Sequence, residues 1–180
     1  MTHVILFYNK NEPYYEFTNF YPAPFELDEQ TWPTSEHYFQ TQKYYNPRSP
    51  RSMEYMKIVQ QADTPSKIFR LANHQISTGH ENWVVNKTTL PIPMNQVIAQ
   101  YSDIRIRSDW EQVKRNVMYR ALVAKFTQNP ALQRLLISTG NAQLVENSPR
   151  DSYWGIGANG QGLNWLGRLL MDLRTRLRQN

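Results

Sequence analysis

The 180-residue chain contains no cysteine, which excludes disulfides, thiolate zinc sites and a cysteine nucleophile together. No run of about 18 apolar residues occurs, so no membrane span is expected. The opening MTHVILFYNKNEPYYEF lacks the basic n-region and apolar h-region of a secretory leader. Those absences lead us to expect a soluble cytosolic protein, or a nuclear one in a eukaryote. His3, His37, His74 and His80 show no H-E-x-x-H or related spacing, so no metal site and no cofactor are expected. Ser35 stands beside Glu36 and His37, but neighbours on a helix point apart and no G-x-S-x-G elbow is present, which argues against a serine triad. Composition breaks, internal repeats and Gly/Ser linkers are also missing. A single domain over residues 1–180 is therefore expected, within the usual span of roughly 100–200 residues. The sequence does not indicate an oligomeric state.

What the chain does have is a modest basic excess and many rings. Twenty Lys and Arg against fifteen Asp and Glu give +5, which suits a phosphate-bearing partner without requiring one. Part of that excess falls in GRLLMDLRTRLRQN, as Arg168, Arg174, Arg176 and Arg178. A solvated helix face compensating the macrodipole accounts for it as well as a nucleic-acid grip does. Eleven Tyr, seven Phe and five Trp supply core packing by default and stacking platforms for bases as the alternative.

Periodicity predicts a mainly helical fold with a small N-terminal antiparallel β element. ILFYN and PFELDEQTW read as short strands, the second turning at Asp28-Glu29, and Pro13, Pro22 and Pro24 keep them short. Pro33 suits a first helical position, with the helix continuing to about Tyr45, and a second helix is predicted over Met53–Gln61. Thr64-Pro65 is an N-cap and N1 pair. Residues 73–103 have no clean period and are predicted as an irregular excursion with one short helix. Ser108-Asp109-Trp110-Glu111 matches a capping box, and Val113, Val117, Met118, Ala121, Leu122 and Phe126 follow at helical spacing. Asn129-Pro130 opens a further helix that stops at Gly140, QLVE reads as a short strand, and an amphipathic helix runs from Asn164 with Leu166, Leu169, Leu170, Leu173 and Leu177 inward.

Gly155 to Gly160, GIGANG, satisfies G-x-G-x-x-G but lacks the preceding buried strand and the βαβ unit of a dinucleotide fold. It is read as a loop running into a helix, whose amides could cradle a phosphate. In TWPTSEHYFQTQKYY, Glu36, Gln40 and Lys43 fall at i, i+4 and i+7, on nearly one helical face. Periodicity alone favours an exposed stripe, with a pocket wall as the alternative. RIRSDW gathers Arg105, Arg107 and Trp110 at a helix start, and LVENSPRDSYWG places Glu146 and Asp151 near Tyr153 and Trp154.

Taken together, FTNF, TWPTSEHYFQTQK, RSDWEQVKRNVMYRALVAKF, LVENSPRDSYWGIG and GLNWLGRLLMDLR resemble, in order and separation, the blocks of the NADAR family, also called YbiA-like. The resemblance spans nearly the whole chain. Two departures stand out: the stretch from Asn73 to Tyr101 is longer than in compact members, and LANHQ replaces a Gly-Arg pair. The resemblance implies a mainly α-helical, single-domain helical bundle that hydrolyses N-glycosidic bonds. Its substrate would be ADP-ribose on guanine in DNA, RNA or nucleotides, or else phosphoribosylamino-pyrimidines of riboflavin synthesis.

The resemblance also turns the polar stripe into a pocket wall. Cleaving a ribosyl C–N bond develops positive charge on C1 and O4, which a carboxylate stabilises, and Glu36 and Asp151 are the expected acids. Lys43 would attack C1 as a Schiff-base nucleophile, provided burial or a nearby cation such as Arg105 or Arg107 keeps it neutral, or would stay charged and hold a phosphate or ribose oxygen. Trp32, Trp110, Tyr153 and Trp154 are candidate stacking rings, Asn19 and Asn164 candidate partners of ribose hydroxyls, and Gln40 would orient the base edge or the lysine. Phe20, Glu146 and Gly155 complete the expected substrate-binding set. A non-catalytic ADP-ribose reader and a helical DNA-binding protein are the competing readings, the latter resting on KRNVMYRALVAK.

Overall fold

The computed structural model describes residues 3–74, 82–83 and 92–179. In chain order these form β1 (Val4–Phe7), a 3-10 turn (Tyr15–Phe17), β2 (Phe25–Leu27), β3 (Gln30–Trp32), α1 (Ser35–Gln42), α2 (Pro50–Gln60) and α3 (Pro65–Ala72). After these come β4 (Asn82–Trp83), β5 (Ile92–Pro93), α4 (Met94–Gln100), α5 (Trp110–Gln128), α6 (Pro130–Ser138), β6 (Gln143–Glu146) and α7 (Trp165–Leu177). Helices dominate, as the periodicity predicts. Much of the stretch 73–103 lies outside the described residues, including His80; α4 is the short helix expected within it. The chain divides into two compact units, one built from residues up to Ser35 and from Met118 onward, the other from Glu36–Val117.

The first unit contains the expected antiparallel element, the β2–β3 hairpin, and adds a parallel pair. β1 pairs with β6 in parallel, Val4 opposite Gln143 through Phe7 opposite Glu146, so only the β2–β3 hairpin is antiparallel at the N-terminal end. Alternation along β1 buries Ile5 and Phe7 and leaves Val4 and Leu6 exposed. The hairpin turns at Asp28 and Glu29, both at positive φ. Leu166, Leu170 and Leu173 of α7 are buried, and α7 packs closely on β6: a Cβ on Gly167 would stand 2.1 Å from the Leu144 carbonyl, so only glycine fits. Phe7, Phe17 and Phe126 meet in edge and tilted contacts at 5.7 and 6.0 Å.

Lys125 lies fully buried in this unit, on α5, and its Nζ donates to the carbonyls of Glu16 (2.7 Å) and Thr18 (2.8 Å). It therefore holds the FTNF segment by its backbone. Burial pulls its pKa down to about 7, with Glu16 raising it in part. A neutral amine has two N–H groups, enough for both carbonyls. Because the unfolded lysine binds its proton up to about pH 10.4, the native state gains stability from this residue as pH rises from 7 toward 10. Lys125→Met removes that gain and strands two carbonyls. Urea midpoints should show it destabilising more at pH 9.5 than at pH 7, by about 3 kcal/mol at one pH-unit slope of 1.36 kcal/mol; an equal loss at both values would contradict the assignment.

The second unit packs α2, α3 and α4 around Tyr55, Val59, Ile68, Leu71, Met94, Val97 and Tyr101, with Tyr44 from just beyond α1. Thr64 caps α3 through its side chain, accepting from Lys67 N at 3.2 Å with Pro65 at N1, as the sequence indicates. Tyr44 and Tyr55 donate their hydroxyls to the carbonyls of Ala72 (2.8 Å) and Leu71 (2.7 Å) at the end of α3. Burial raises the pKa of both phenols, so they remain donors. Three helix starts differ from expectation. α2 begins at Pro50 rather than Met53, with the Ser49 side chain accepting from Ser52 N. α1 begins at Ser35, two residues beyond Pro33, because β3 continues to Trp32. α5 begins at Trp110, with Asp109 before its first turn and the Asp109 carboxylate held by Arg107 rather than the predicted Ser108 cap.

Candidate functional site

Every residue of α1 is buried, although six of the eight are polar. Its core-facing aromatics account for Tyr38 and Phe39, the latter against Trp110 at 5.0 Å. His37 is held by the Ala62 carbonyl at 2.9 Å and its pKa is lowered by burial. Among the other polar residues, Glu36 and Gln40 share a stripe with Lys43, which lies just beyond the helix, at 5%, 3% and 7% exposure. Surface placement, which periodicity alone favours, would leave these three wet. Burying a carboxylate and an amine is costly, so their presence calls for a reason beyond packing.

Each of the three is oriented. Gln40 Nε2 donates to Glu36 Oε1 at 2.8 Å, one turn away, while Gln40 Oε1 is buried and accepts no hydrogen bond among the described residues. After Gln42 the backbone tightens into i to i+3 bonds, Lys43 N to Gln40 O (3.3 Å) and Tyr44 N to Thr41 O (3.1 Å). Lys43 Nζ donates to Asn73 Oδ1 at 2.8 Å, and the Lys43 carbonyl accepts from Arg107 N at 2.9 Å. Burial pulls the Lys43 amine from 10.5 down to about 8; Glu36 opposes this, Lys114 assists it and Glu111 opposes it. The arrangement supplies a desolvated amine and a carboxylate on one helical face, beside an acceptor awaiting a donor.

The cation that assists the amine is Lys114, on the same helix face as its ion-pair partner Glu111 (2.5 Å), not either expected arginine. Arg107 is bidentate to Asp109 (2.5 and 2.8 Å) and lies over the Tyr45 ring at 5.9 Å. Arg105 is exposed and spends its guanidinium on the carbonyls of Ser102 and Ile104. Trp110 is buried against Phe39, so it packs rather than offering a face. Sequence reasoning missed Asn73 and Lys114. Asn73 lies thirty positions from Lys43 and Lys114 lies on α5, so no local spacing links either of them to the amine.

The other unit carries the remaining expected residues. Asp151 Oδ1 accepts from the backbone N–H of Tyr153 (2.8 Å) and of Trp154 (2.7 Å), and its own N–H donates to Ser148 Oγ at 3.2 Å. This Asx-type turn gives Asp151 a structural task, which explains the D-x-YW spacing without chemistry. Tyr153 and Trp154 are half-buried, edge to face at 5.1 Å. Gly155 is buried because a Cβ would stand 2.7 Å from the Glu146 carbonyl. Asn164, expected on ribose hydroxyls, instead clips β6: Oδ1 accepts from Glu146 N (2.9 Å) and Nδ2 donates to Leu144 O (2.9 Å). Trp32, expected as a stacking ring, is 1% exposed with its indole N–H on the Leu27 carbonyl at 2.9 Å, and is a core residue. Asn19 is buried, its Oδ1 accepting from Ser35 Oγ at 3.0 Å, and Phe20 is exposed.

The phosphate-cradle reading of GIGANG is also corrected. Three of its amides bond within the unit, Ile156 N to Glu146 O, Gly157 N to Asp151 O and Gly160 N to Gly157 O, so the loop spends these on its own shape. It flanks an open cleft of about 360 Å³ with Tyr8 and Asn147. Among the described residues no group of His, Asp and Glu could hold a metal, and no helix is long and apolar enough to cross a membrane.

Known proteins share this sequence and fold. The NADAR domain model matches residues 6–178. The N-glycosidase YbiA of Shigella boydii is 36% identical over 174 residues, covering 97% of this chain and 88% of that protein. A chloroplastic riboflavin biosynthesis protein, PYRR of Zea mays, is 33% identical, covering 98% of this chain but 25% of that protein. The solution structure of Escherichia coli YbiA superposes with a TM-score of 0.73 at 34% identity, over 99% of this chain and 86% of that one.

Proposed function

The chain belongs to the NADAR family, and from that membership we propose that it is an N-glycosidase that releases ADP-ribose from ADP-ribosylated guanine, in DNA, RNA or a nucleotide. The observation that carries the reading is the buried Lys43 amine with a pKa of about 8, on the same helical stripe as buried Glu36. At pH 7 such an amine is roughly one-tenth neutral, against well under one-thousandth for an ordinary lysine near 10.4. It is therefore suited to attack carbon.

The ribose ring opens as the C1–O4 pair moves to O4, which takes a proton from solvent, while the lone pair of the base nitrogen moves to C1 and makes the iminium. That proton returns to solvent when water later adds at C1. The Nζ lone pair adds to C1. Glu36 accepts the proton from Nζ and passes it to the base nitrogen, the C1–N bond breaks, and guanine leaves with the electron pair. Water then adds to the Lys43 imine at C1, Nζ departs as an amine, and the released sugar recloses. Gln40 fixes Glu36 through Nε2 and offers Oε1 to a substrate N–H or hydroxyl.

The riboflavin-named relative favours one second reading, in which the same bond is cut in a phosphoribosylamino-pyrimidine. Parallel incubation with a guanine-ADP-ribosylated oligonucleotide and with that pyrimidine tests both. Free ADP-ribose and unmodified guanine are expected. Release from the pyrimidine alone would favour the second reading, and binding without release from either would make the protein a reader.

A further inference from the structure

We infer that Asn73 is a positioning residue that aims the Lys43 amine and, by being uncharged, keeps it a nucleophile. The inference rests on the catalytic role proposed for Lys43 but concerns a residue outside the polar stripe. Its geometry is fixed from both sides. The end of α1 is tied to the end of α3 twice, through Tyr44 Oη to the Ala72 carbonyl at 2.8 Å and Lys43 Nζ to Asn73 Oδ1 at 2.8 Å. The Asn73 backbone N–H bonds back to Phe69 O (3.1 Å) and Arg70 O (3.3 Å) at the helix terminus. Its Nδ2 donates to the Phe69 carbonyl at 2.6 Å. That last bond decides the amide orientation, because only a nitrogen can face a carbonyl there, and so the oxygen must face the lysine.

An amine that donates one N–H to a fixed acceptor has its lone pair directed elsewhere, which is what attack on C1 requires. The charged groups around it come from several elements. Glu36 lies on α1, and Lys114 and Glu111 lie on α5. Arg107 touches Lys43 by its backbone while its guanidinium pairs with Asp109, and Arg105 acts on His74, the neighbour of Asn73. These charges partly cancel, two acids against one lysine at Nζ itself. The hydrogen bond that Nζ makes at 2.8 Å is to a neutral amide. A carboxylate at that position would favour the ammonium by about 1–3 pH units.

Asn73→Asp reverses this one property while keeping an oxygen toward Lys43. The midpoint of the rising limb of kcat/KM should move up by about 1–3 pH units, with a rate at pH 7 lower by roughly 10–1000-fold and recovering at high pH. Asn73→Ala should leave the midpoint at or below that of the wild type and slow imine formation, read as borohydride-trapped adduct. The amine is also titrated without turnover, by reductive methylation of Lys43 with formaldehyde and cyanoborohydride across pH, followed by mass spectrometry. A methylation midpoint for Asn73→Asp within about 0.3 unit of the wild type, well below the expected 1–3 units, overturns the inference. So does an Asn73→Ala protein with wild-type midpoint and trapping rate, which covers the case in which the aspartate variant does not fold. If the methylation midpoint moves as expected but Lys43→Ala retains turnover, the positioning of the amine stands and the function proposed for it falls.

Discussion

Lys43→Ala should abolish turnover, with a loss on the order of 10⁴-fold or more in kcat, as for other residues that form the covalent intermediate. Borohydride added during turnover should trap a sugar adduct on Lys43 of the wild type and none on the variant. Turnover within about tenfold of wild type, or an adduct on another lysine, would remove Lys43 from the chemistry, since removing a nucleophile costs far more. The stability of the variant carries independent information. Folding lowers this amine from 10.5 to about 8, which costs roughly 3 kcal/mol at pH 7 at 1.36 kcal/mol per unit. Truncation to alanine relieves that cost but loses most of a buried four-carbon stem, at about 0.8 kcal/mol per methylene, close to 3 kcal/mol. The terms nearly cancel, so the variant should melt near the wild-type temperature at pH 7. The wild type has a folded pKa below the unfolded one, so its penalty disappears as pH rises through the interval from 8 to 10.5. Near pH 10 the variant should therefore be the less stable protein, and thermal melts at the two pH values read the crossing.

How far the sequence disclosed this arrangement depends on whether the determining interactions are local. The Thr64-Pro65 helix start, the long α5 period and the stop at Gly140 are encoded within a few residues, and all appear as expected. The parallel pairing of β1 with β6 joins opposite ends of the chain, and a four-residue apolar alternation contains nothing that specifies a partner or its direction. In the polar stripe, helical spacing put Glu36, Gln40 and Lys43 on one face, but their burial is set by what packs over them, which a period does not encode. Family resemblance supplied what periodicity lacked. Conversely, the D-x-YW block carried chemical expectation for Asp151 because a half-buried carboxylate that caps two amides has the same residue letter as one that acts on a sugar. Asn73 was illegible for a further reason: its task exists only through a neighbour thirty positions away in the chain.

Glu36→Gln sets two effects of opposite sign against each other, and their sizes decide the outcome. Removing the carboxylate removes the charge that holds the Lys43 pKa up, so the amine becomes more neutral at pH 7. Since roughly one-tenth is already neutral in the wild type, complete neutrality raises the reactive fraction by about tenfold at most. The proton that Nζ sheds and the base nitrogen needs then has no carrier, and loss of a general acid-base group lowers rates by typically 10²–10⁴-fold. The loss is larger, and kcat should fall by about 10–1000-fold net. The pH profile separates the two contributions. The rising limb, which in the wild type should be centred near 8, should shift toward lower pH in Glu36→Gln even as its plateau drops. The glutamine oxygen can still accept the 2.8 Å bond from Gln40 Nε2, so the fold and the position of Lys43 are preserved. A plateau near the wild-type value would take the proton transfer away from Glu36, whereas a lowered plateau with an unmoved limb would show that the carboxylate does not act on the amine.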